Sequence, residues 1–242
     1  MSGHSKWAQI KHKKSIEDKK RGQIFSKIVK LISVAVKEKG ASPDTNPTLR
    51  IAIEKSKAVN MPSDNIERAI KKAAGEGGVE KLESLILEIY GPGGAAILVE
   101  AITDSKNRTI SEIKHTLSKY DSRLAEEGSV KWMFSKNGVI RISKDNFGKI
   151  SDLELKLIDL GANDIKHQEE DIEIYLSPEK TDLFKTNLKE FGIETESILV
   201  EWTPTNHLLI QDKQNKEKIE KLLEELDDNE DVSDVYSNID FG

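Results

Sequence analysis

Apolar side chains recur along this chain with more than one rhythm, and each rhythm predicts a different kind of element. From Ile24 the period is helical: Ile24, Ile28, Leu31, Ile32 and Ala35 share one face, and Gly40 ends the stretch. Asn46-Pro47 then sets a capping residue before Pro at the first helical position, with Leu49, Ala52, Ile53 and Val59 behind it. Met61-Pro62-Ser63 punctuates again, and a third stripe of Ile66, Ala69, Ile70 and Ala73 closes at Gly75. Residues 23–76 therefore read as a three-helix domain whose outward positions are mostly Lys and Arg. The segment before it, residues 1–22, has few larger apolar positions beyond the initial Met: Trp7, Ile10 and Ile16. That is too little to bury, and predicts an arm that is flexible when free.

After Gly77-Gly78 the rhythm becomes mixed. Leu85–Tyr90 and Ala95–Thr103 read as strands around the turn Gly91-Pro92-Gly93-Gly94. Thr109-Ile110-Ser111-Glu112 has the form of a capping box, opening a helix with Ile110, Ile113, Leu117 and Tyr120 inward. Val130–Phe134 reads as another strand. Residues 137–203 then carry strand Val139–Ile142, a capping box Ser151-Asp152-Leu153-Glu154 with a helix ending at Gly161, strands at Asp164–His167 and Ile172–Leu176, a helix capped by Ser177-Pro178, and strand Ile198–Trp202. This is the β-α-β-β-α-β order of a ferredoxin-like domain. The tail has an extended piece Leu208–Ile210, a helix with Ile219, Leu222, Leu223 and Leu226 inward, and a strand Val232–Tyr236. The tail cannot stand alone, and the strands before residue 136 lack a second helix to cover them. Joining 77–136 to 204–242 satisfies both. The predicted architecture is α+β and multidomain: an N-terminal three-helix module plus two α/β domains, the ferredoxin-like one (137–203) inserted into the other.

Composition narrows the function. There is no Cys, which excludes disulfide scaffolds, thiolate metal sites and cysteine nucleophiles. No apolar run approaches the ~18 residues of a membrane helix, and no apolar segment follows the N-terminal charges as a secretory signal requires, so a cytoplasmic protein without a membrane partner is expected. The net charge of −6 conceals a division. Residues 1–76 hold 17 Lys and Arg against 8 Asp and Glu, whereas residues 77–242 hold 20 against 35. A basic end on an acidic body points to a polyanionic partner at that end alone.

The arm concentrates this charge. Lys6, Lys11, Lys13, Lys14, Lys19, Lys20 and Arg21 lie within sixteen residues, interleaved with His4, Trp7 and His12. Cations neutralise phosphates and release counterions, and a planar indole or imidazole stacks on an unpaired base. The competing reading is a solubilising tail; the interleaved aromatics and the acidic remainder favour nucleic acid. A second candidate is Asp104-Ser105-Lys106-Asn107-Arg108-Thr109, between a strand end and a helix start, where Lys106 and Arg108 could hold a phosphate beside backbone N–H groups; an ordinary polar loop explains it equally well. Gly91-Pro92-Gly93-Gly94 lacks the spacing of a P-loop or dinucleotide site and reads as a tight hairpin. The histidines (His4, His12, His115, His167 and His207) have no metal-ligand spacing, the acidic pairs sit in polar turns, and no serine has a nucleophile-elbow context. No catalytic residue, metal site or cofactor is expected.

Gly3-His4-Ser5-Lys6-Trp7 with Ile10-Lys11-His12-Lys13 resembles the opening signature of the YebC family of gene-expression regulators. The resemblance continues through Asn46-Pro47-Thr48-Leu49-Arg50, Asn60-Met61-Pro62, Asp64-Asn65-Ile66, Tyr90-Gly91-Pro92-Gly93-Gly94, Asn107-Arg108-Thr109 and Gly128-Ser129-Val130-Lys131-Trp132-Met133-Phe134. It implies a three-domain, non-enzymatic cytoplasmic protein. It further implies a transcriptional regulator that binds DNA, or a translational factor acting on messenger RNA, ribosomal RNA or the ribosome. It marks His4, Lys6, Trp7, Lys11, His12 and Lys13 as contacts, with Asn107 and Arg108 beside them. No element reads as a helix-turn-helix with a base-reading helix, and a flexible aromatic-bearing arm suits folded or single-stranded RNA better than a duplex groove. A different class stays open: a protein-interaction adaptor whose acidic C-terminal region recruits a basic partner.

Overall fold

The structure, a computed structural model, describes residues 18–75, 81–145, 153–168 and 171–241, with side chains described from Arg21 onward. The chain divides into two compact units, one running through Ser135 and resuming at Thr203, the other Lys136–Trp202.

The first unit opens with α1 (Asp18–Lys39), α2 (Pro47–Ala58) and α3 (Ser63–Ala74). Their apolar stripes meet in a core built on Ile28, Ile32, Leu49, Met61 and Ile66. Asn46 is fully buried at the corner between α1 and α2. Its Oδ1 accepts from Leu49 N at 3.0 Å, and its Nδ2 donates to the carbonyls of Ala35 and Gly40, each at 2.7 Å. One side chain thus caps α2 and satisfies carbonyls at the end of α1, where Gly40 takes a φ of 87°. Helix α1 starts five residues before the boundary expected at residue 23. Asp18, Lys19, Lys20 and Arg21 belong to the helix rather than to the arm, as the good helix propensity of Lys and Arg allows.

The same unit contains β1 (Glu83–Tyr90), β2 (Ala96–Thr103), α4 (Lys106–Ser118) and the two-residue β3 (Arg123–Leu124). From the tail come β8 (Leu208–Leu209), α7 (Lys213–Asp227), β9 (Val232–Ser237) and β10 (Ile239–Asp240). The sheet order is β3-β1-β2-β9, antiparallel throughout, with Ile97 opposite Ser237 and Val99 opposite Val235. The tail strand therefore completes the sheet begun near residue 83, and α4 and α7 cover it through Ile113, Leu117, Ile219, Leu222, Leu223 and Leu226. Two local expectations are corrected. Helix α4 begins at Lys106, so Thr109 lies inside it and makes no capping box; its hydroxyl donates to Asp231 at 2.7 Å. Val130–Phe134 is not a strand either: Lys131–Met133 is a 3-10 turn and β4 (Phe134–Ser143) begins after it.

In the second unit the order is β4, α5 (Leu153–Asp159), β5 (Asp164–His167), β6 (Asp171–Leu176), α6 (Thr181–Glu190) and β7 (Ser197–Pro204). The sheet order β5-β6-β4-β7, antiparallel between β5 and β6 and between β4 and β6, is that of a ferredoxin-like domain. Ile140, Ile142, Ile172, Ile174 and Leu176 pack with Leu153, Leu157, Phe184 and Leu188 of the helices. Gly138 lets the start of α6 approach β4, where a Cβ would collide with the Thr181 methyl group. Arg141 Nε donates to Glu173 Oε1 at 3.0 Å, while Tyr175 and Gln168 donate to Glu173 Oε2 at 2.6 and 3.0 Å. Burial alone would raise the Glu173 carboxyl, but Arg141 and these donors hold it below the usual carboxylate range. Ser151 and Asp152 of the second expected capping box lie outside the described residues. Pro178–Lys180 forms a 3-10 turn before α6, where a direct Ser177-Pro178 cap was expected.

A fragment spanning 137–203 carries its own core and a complete four-stranded sheet. Expressed alone, it is expected to give dispersed amide NMR resonances and a cooperative melting transition; collapsed dispersion would refute this domain boundary.

Candidate nucleic-acid interface

Of the arm residues, His4, Lys6, Trp7, Lys11, His12, Lys13 and Lys14 lie outside the described residues. Lys19 and Lys20 stand in the first turn of α1, and Arg21 follows as an exposed residue. Beyond that first turn, two cations of the helix, Lys27 and Lys30, are partly buried against other parts of the protein, whereas Lys37 and Lys39 in its last turn are exposed. Lys27 Nζ donates to the carbonyl of Asp227. Lys30 Nζ contacts Asp231 Oδ1 at 2.7 Å and the Glu230 carbonyl at 3.1 Å. On α2, Lys55 pairs with Asp234 at 2.8 Å. Helix α3 presents Arg68, Lys71 and Lys72 to solvent.

Asp231 organises the junction between the helices and the sheet. It is 5% exposed, and its Oδ2 accepts from Thr109 at 2.7 Å, Arg108 at 2.9 Å and Thr103 at 3.1 Å. Burial pushes this carboxyl up, but the hydrogen bonds from Lys30, Thr109 and Arg108 outweigh it and bring the pKa down to about 2. Arg108 also reaches Asp104 at 2.7 Å, and its guanidinium holds its proton more tightly because Asp231 and Asp104 accept from it.

The strand-to-helix loop proposed for a phosphate therefore has a different setting. Arg108 serves carboxylates of the protein itself, while Lys106 and Asn107 are exposed. The adjoining cleft, about 520 Å³, sets Asp104, Glu112, Asp228, Glu230 and Asp231 against Lys30 and Arg108, an acidic lining that disfavours an anion. Part of the acidic tail already has a basic partner in α1 and α2.

Sequence reasoning missed one surface feature. Glu88, 5% exposed on β1, accepts from the backbone N–H groups of Gly128 and Val130 at 2.5 Å and of Lys131 at 2.8 Å. Burial raises this carboxyl, but those N–H groups and the Lys131 charge hold it below its ordinary value. The clamped loop projects Trp132, which is 67% exposed, with Nε1 donating to the Ser129 carbonyl at 2.9 Å. Tyr90 donates to the same carbonyl at 3.0 Å, and Arg123 lies 5.5 Å from the Tyr90 ring centroid. Reading 130–134 as a strand hid this arrangement, because the clamping carboxylate lies 42 residues upstream of Val130.

Comparison with known proteins bears on the whole chain. A family model described as the TACO1/YebC protein N-terminal domain matches residues 5–76, and one described as the TACO1/YebC second and third domain matches residues 82–239. The chain belongs to the TACO1/YebC family. Its relatives include a protein of Halothermothrix orenii, 44% identical over 99% of this chain and 95% of that protein. One from Thermoanaerobacter pseudethanolicus is 46% identical over 99% and 97%, and one from Thermotoga maritima is 45% identical over 98% and 93%. Each of the three carries the name "probable transcriptional regulatory protein". The crystal structure of a conserved hypothetical protein, Aq1575 from Aquifex aeolicus, superposes with a TM-score of 0.83 at 42% identity, covering 97% of this chain and 96% of that one. The YebC resemblance seen in the motifs is thus the family of the entire chain. Among the described residues no group of His, Asp or Glu is arranged to hold a metal ion, and no helix is long and apolar enough to cross a membrane.

Proposed function

We propose that this TACO1/YebC protein is a non-enzymatic, nucleic-acid-binding regulator of gene expression. Its basic arm and the helix start that follows it contact phosphates and bases: Lys6, Lys11, Lys13 and Lys14 of the arm, with Lys19, Lys20 and Arg21 of the helix, supply the charge, and His4, Trp7 and His12 the stacking surfaces. The observation that carries this reading is the confinement of net positive charge to residues 1–76 of an otherwise acidic chain. The exposed Arg68, Lys71 and Lys72 on α3 extend the basic surface beyond the arm. Lys106 and Asn107 are secondary contacts, and Arg108 holds the loop that carries them.

Two targets follow from different observations. The relatives' names favour DNA and transcription. The aromatic-bearing arm favours RNA, with the ribosome as the structured RNA that such an arm fits. Fluorescence anisotropy against single-stranded RNA, ribosomal RNA fragments and duplex DNA, repeated over a salt series, tests the function. Affinity for at least one class is expected to fall linearly in log K against log salt. Salt-dependent co-sedimentation with ribosomes selects the RNA arm of the proposal. Absence of binding to every nucleic acid at low salt would overturn the reading and leave the adaptor.

A further inference from the structure

We propose that Trp132 is a base-stacking platform, a second nucleic-acid contact remote in sequence from the arm, that takes one unpaired base of single-stranded RNA. The inference rests on the nucleic-acid reading above and adds a site to it.

A large indole gains by burial, yet Trp132 stands 67% exposed while apolar neighbours in the same segment, Val130 and Phe134, are buried. Its polar atom is already used, because Nε1 donates to the Ser129 carbonyl at 2.9 Å. What it offers a partner is therefore its π face. The ring is held on a fixed support: the 3-10 turn Lys131–Met133 follows a loop whose N–H groups converge on the buried Glu88 carboxylate. A partner meeting this ring pays little ordering entropy on the protein side.

The surroundings select the partner. Lys131 precedes Trp132 in the chain and is exposed, and Arg123 lies over Tyr90, whose hydroxyl meets the same Ser129 carbonyl as the indole. Cations beside an exposed aromatic match a stacked base with its flanking phosphates. Glu126 and Glu127, exposed in the preceding turn, oppose a long run of phosphates across this surface. The site thus fits a single splayed base better than a duplex, whose bases are already stacked.

The test compares the full-length protein with its Trp132→Ala and Trp132→Phe variants. The probes are an oligouridylate RNA of about 12 nucleotides, a length within the range of single-strand sites, and a DNA duplex of similar charge, at one salt concentration. Trp132→Ala is expected to weaken RNA binding about tenfold, as loss of one base–aromatic stack implies, with little change for the duplex, and Trp132→Phe to retain most of the affinity. In a Trp7→Phe/Trp202→Phe background, the remaining Trp132 fluorescence is expected to be quenched by the RNA but not by the duplex. Unchanged RNA affinity without quenching overturns the platform, as do equal losses for RNA and duplex. A Lys11→Glu/Lys13→Glu/Lys14→Glu variant separates the two readings. Binding lost there but kept in Trp132→Ala leaves the arm standing and removes the platform, and the reverse pattern removes the arm. A wild-type protein that binds neither probe removes both.

Discussion

Asp231→Ala is expected to lower the melting temperature by roughly 6–12 °C. The carboxylate accepts from Lys30, Arg108, Thr103 and Thr109 and is 5% exposed, so its removal takes one acceptor from four donors at one junction, with Lys30 keeping the Glu230 carbonyl and Arg108 keeping Asp104. Breaking a buried ion pair by removing one partner costs about 3–5 kcal/mol; the lower end applies because Lys30 and Arg108 can turn toward solvent. For a unit of this size, each kcal/mol shifts the midpoint by about 2–4 °C. Lys30→Met combined with Asp231→Ala should fall well short of the sum of the two, because both remove the same contact. Additive effects, or a midpoint within about 2 °C of wild type, would show that water replaces the network and that the helices and sheet do not depend on it.

The same carboxylate sets an acid response. Its pKa falls from 3.8 to about 2 on folding, so the unfolded chain binds the proton more readily. The stabilisation is fully present above the unfolded value and is lost as pH falls through the folded one. Melting temperature measured between about pH 5 and 2 should therefore drop more steeply for wild type than for Asp231→Asn, which has no proton to gain there.

How far the sequence discloses this molecule depends on the range of the forces that fix each part. Helices α1, α2 and α3 bury stripes of their own residues, and the Asn46-Pro47 cap is local, so periodicity and capping chemistry find them. The ferredoxin-like order follows from the same local signals. The start of α4 is not legible in the same way, because Thr109 and Glu112 imitate a capping box, while the Thr109 hydroxyl is claimed by Asp231, 122 residues away. Val130–Phe134 carries an apolar pattern compatible with a strand, but Glu88 gathers its N–H groups into a turn. Lys30 and Lys55 read as outward charges on a basic module; their acceptors lie at Asp231 and Asp234 on the far end of the chain. Charge count located the basic end, but only the fold distinguishes cations that hold the protein together from those that face solvent.

That distinction isolates the arm as the place to reverse charge without unfolding anything. Lys11→Glu/Lys13→Glu/Lys14→Glu is expected to weaken binding to RNA and duplex DNA alike, since phosphate contacts carry no sequence information. The slope of log K against log salt should flatten by about 0.7–0.9 for each lost contact, or roughly 2–3 in total. The melting temperature should hold, because the segment around these lysines has too few apolar positions to add much to a core. Trp7→Ala in the same assay separates the nucleic-acid classes. A stacked base is worth about 1–3 kcal/mol, roughly 5–150-fold in affinity, and requires a base free of its own duplex. Loss for single-stranded or ribosomal RNA with duplex binding intact assigns the arm to RNA. Equal loss for both, or none for either, removes stacking by Trp7 and returns duplex DNA to first place. A fall in melting temperature on Trp7→Ala with unchanged affinity would instead make the indole an anchor for the helices behind it.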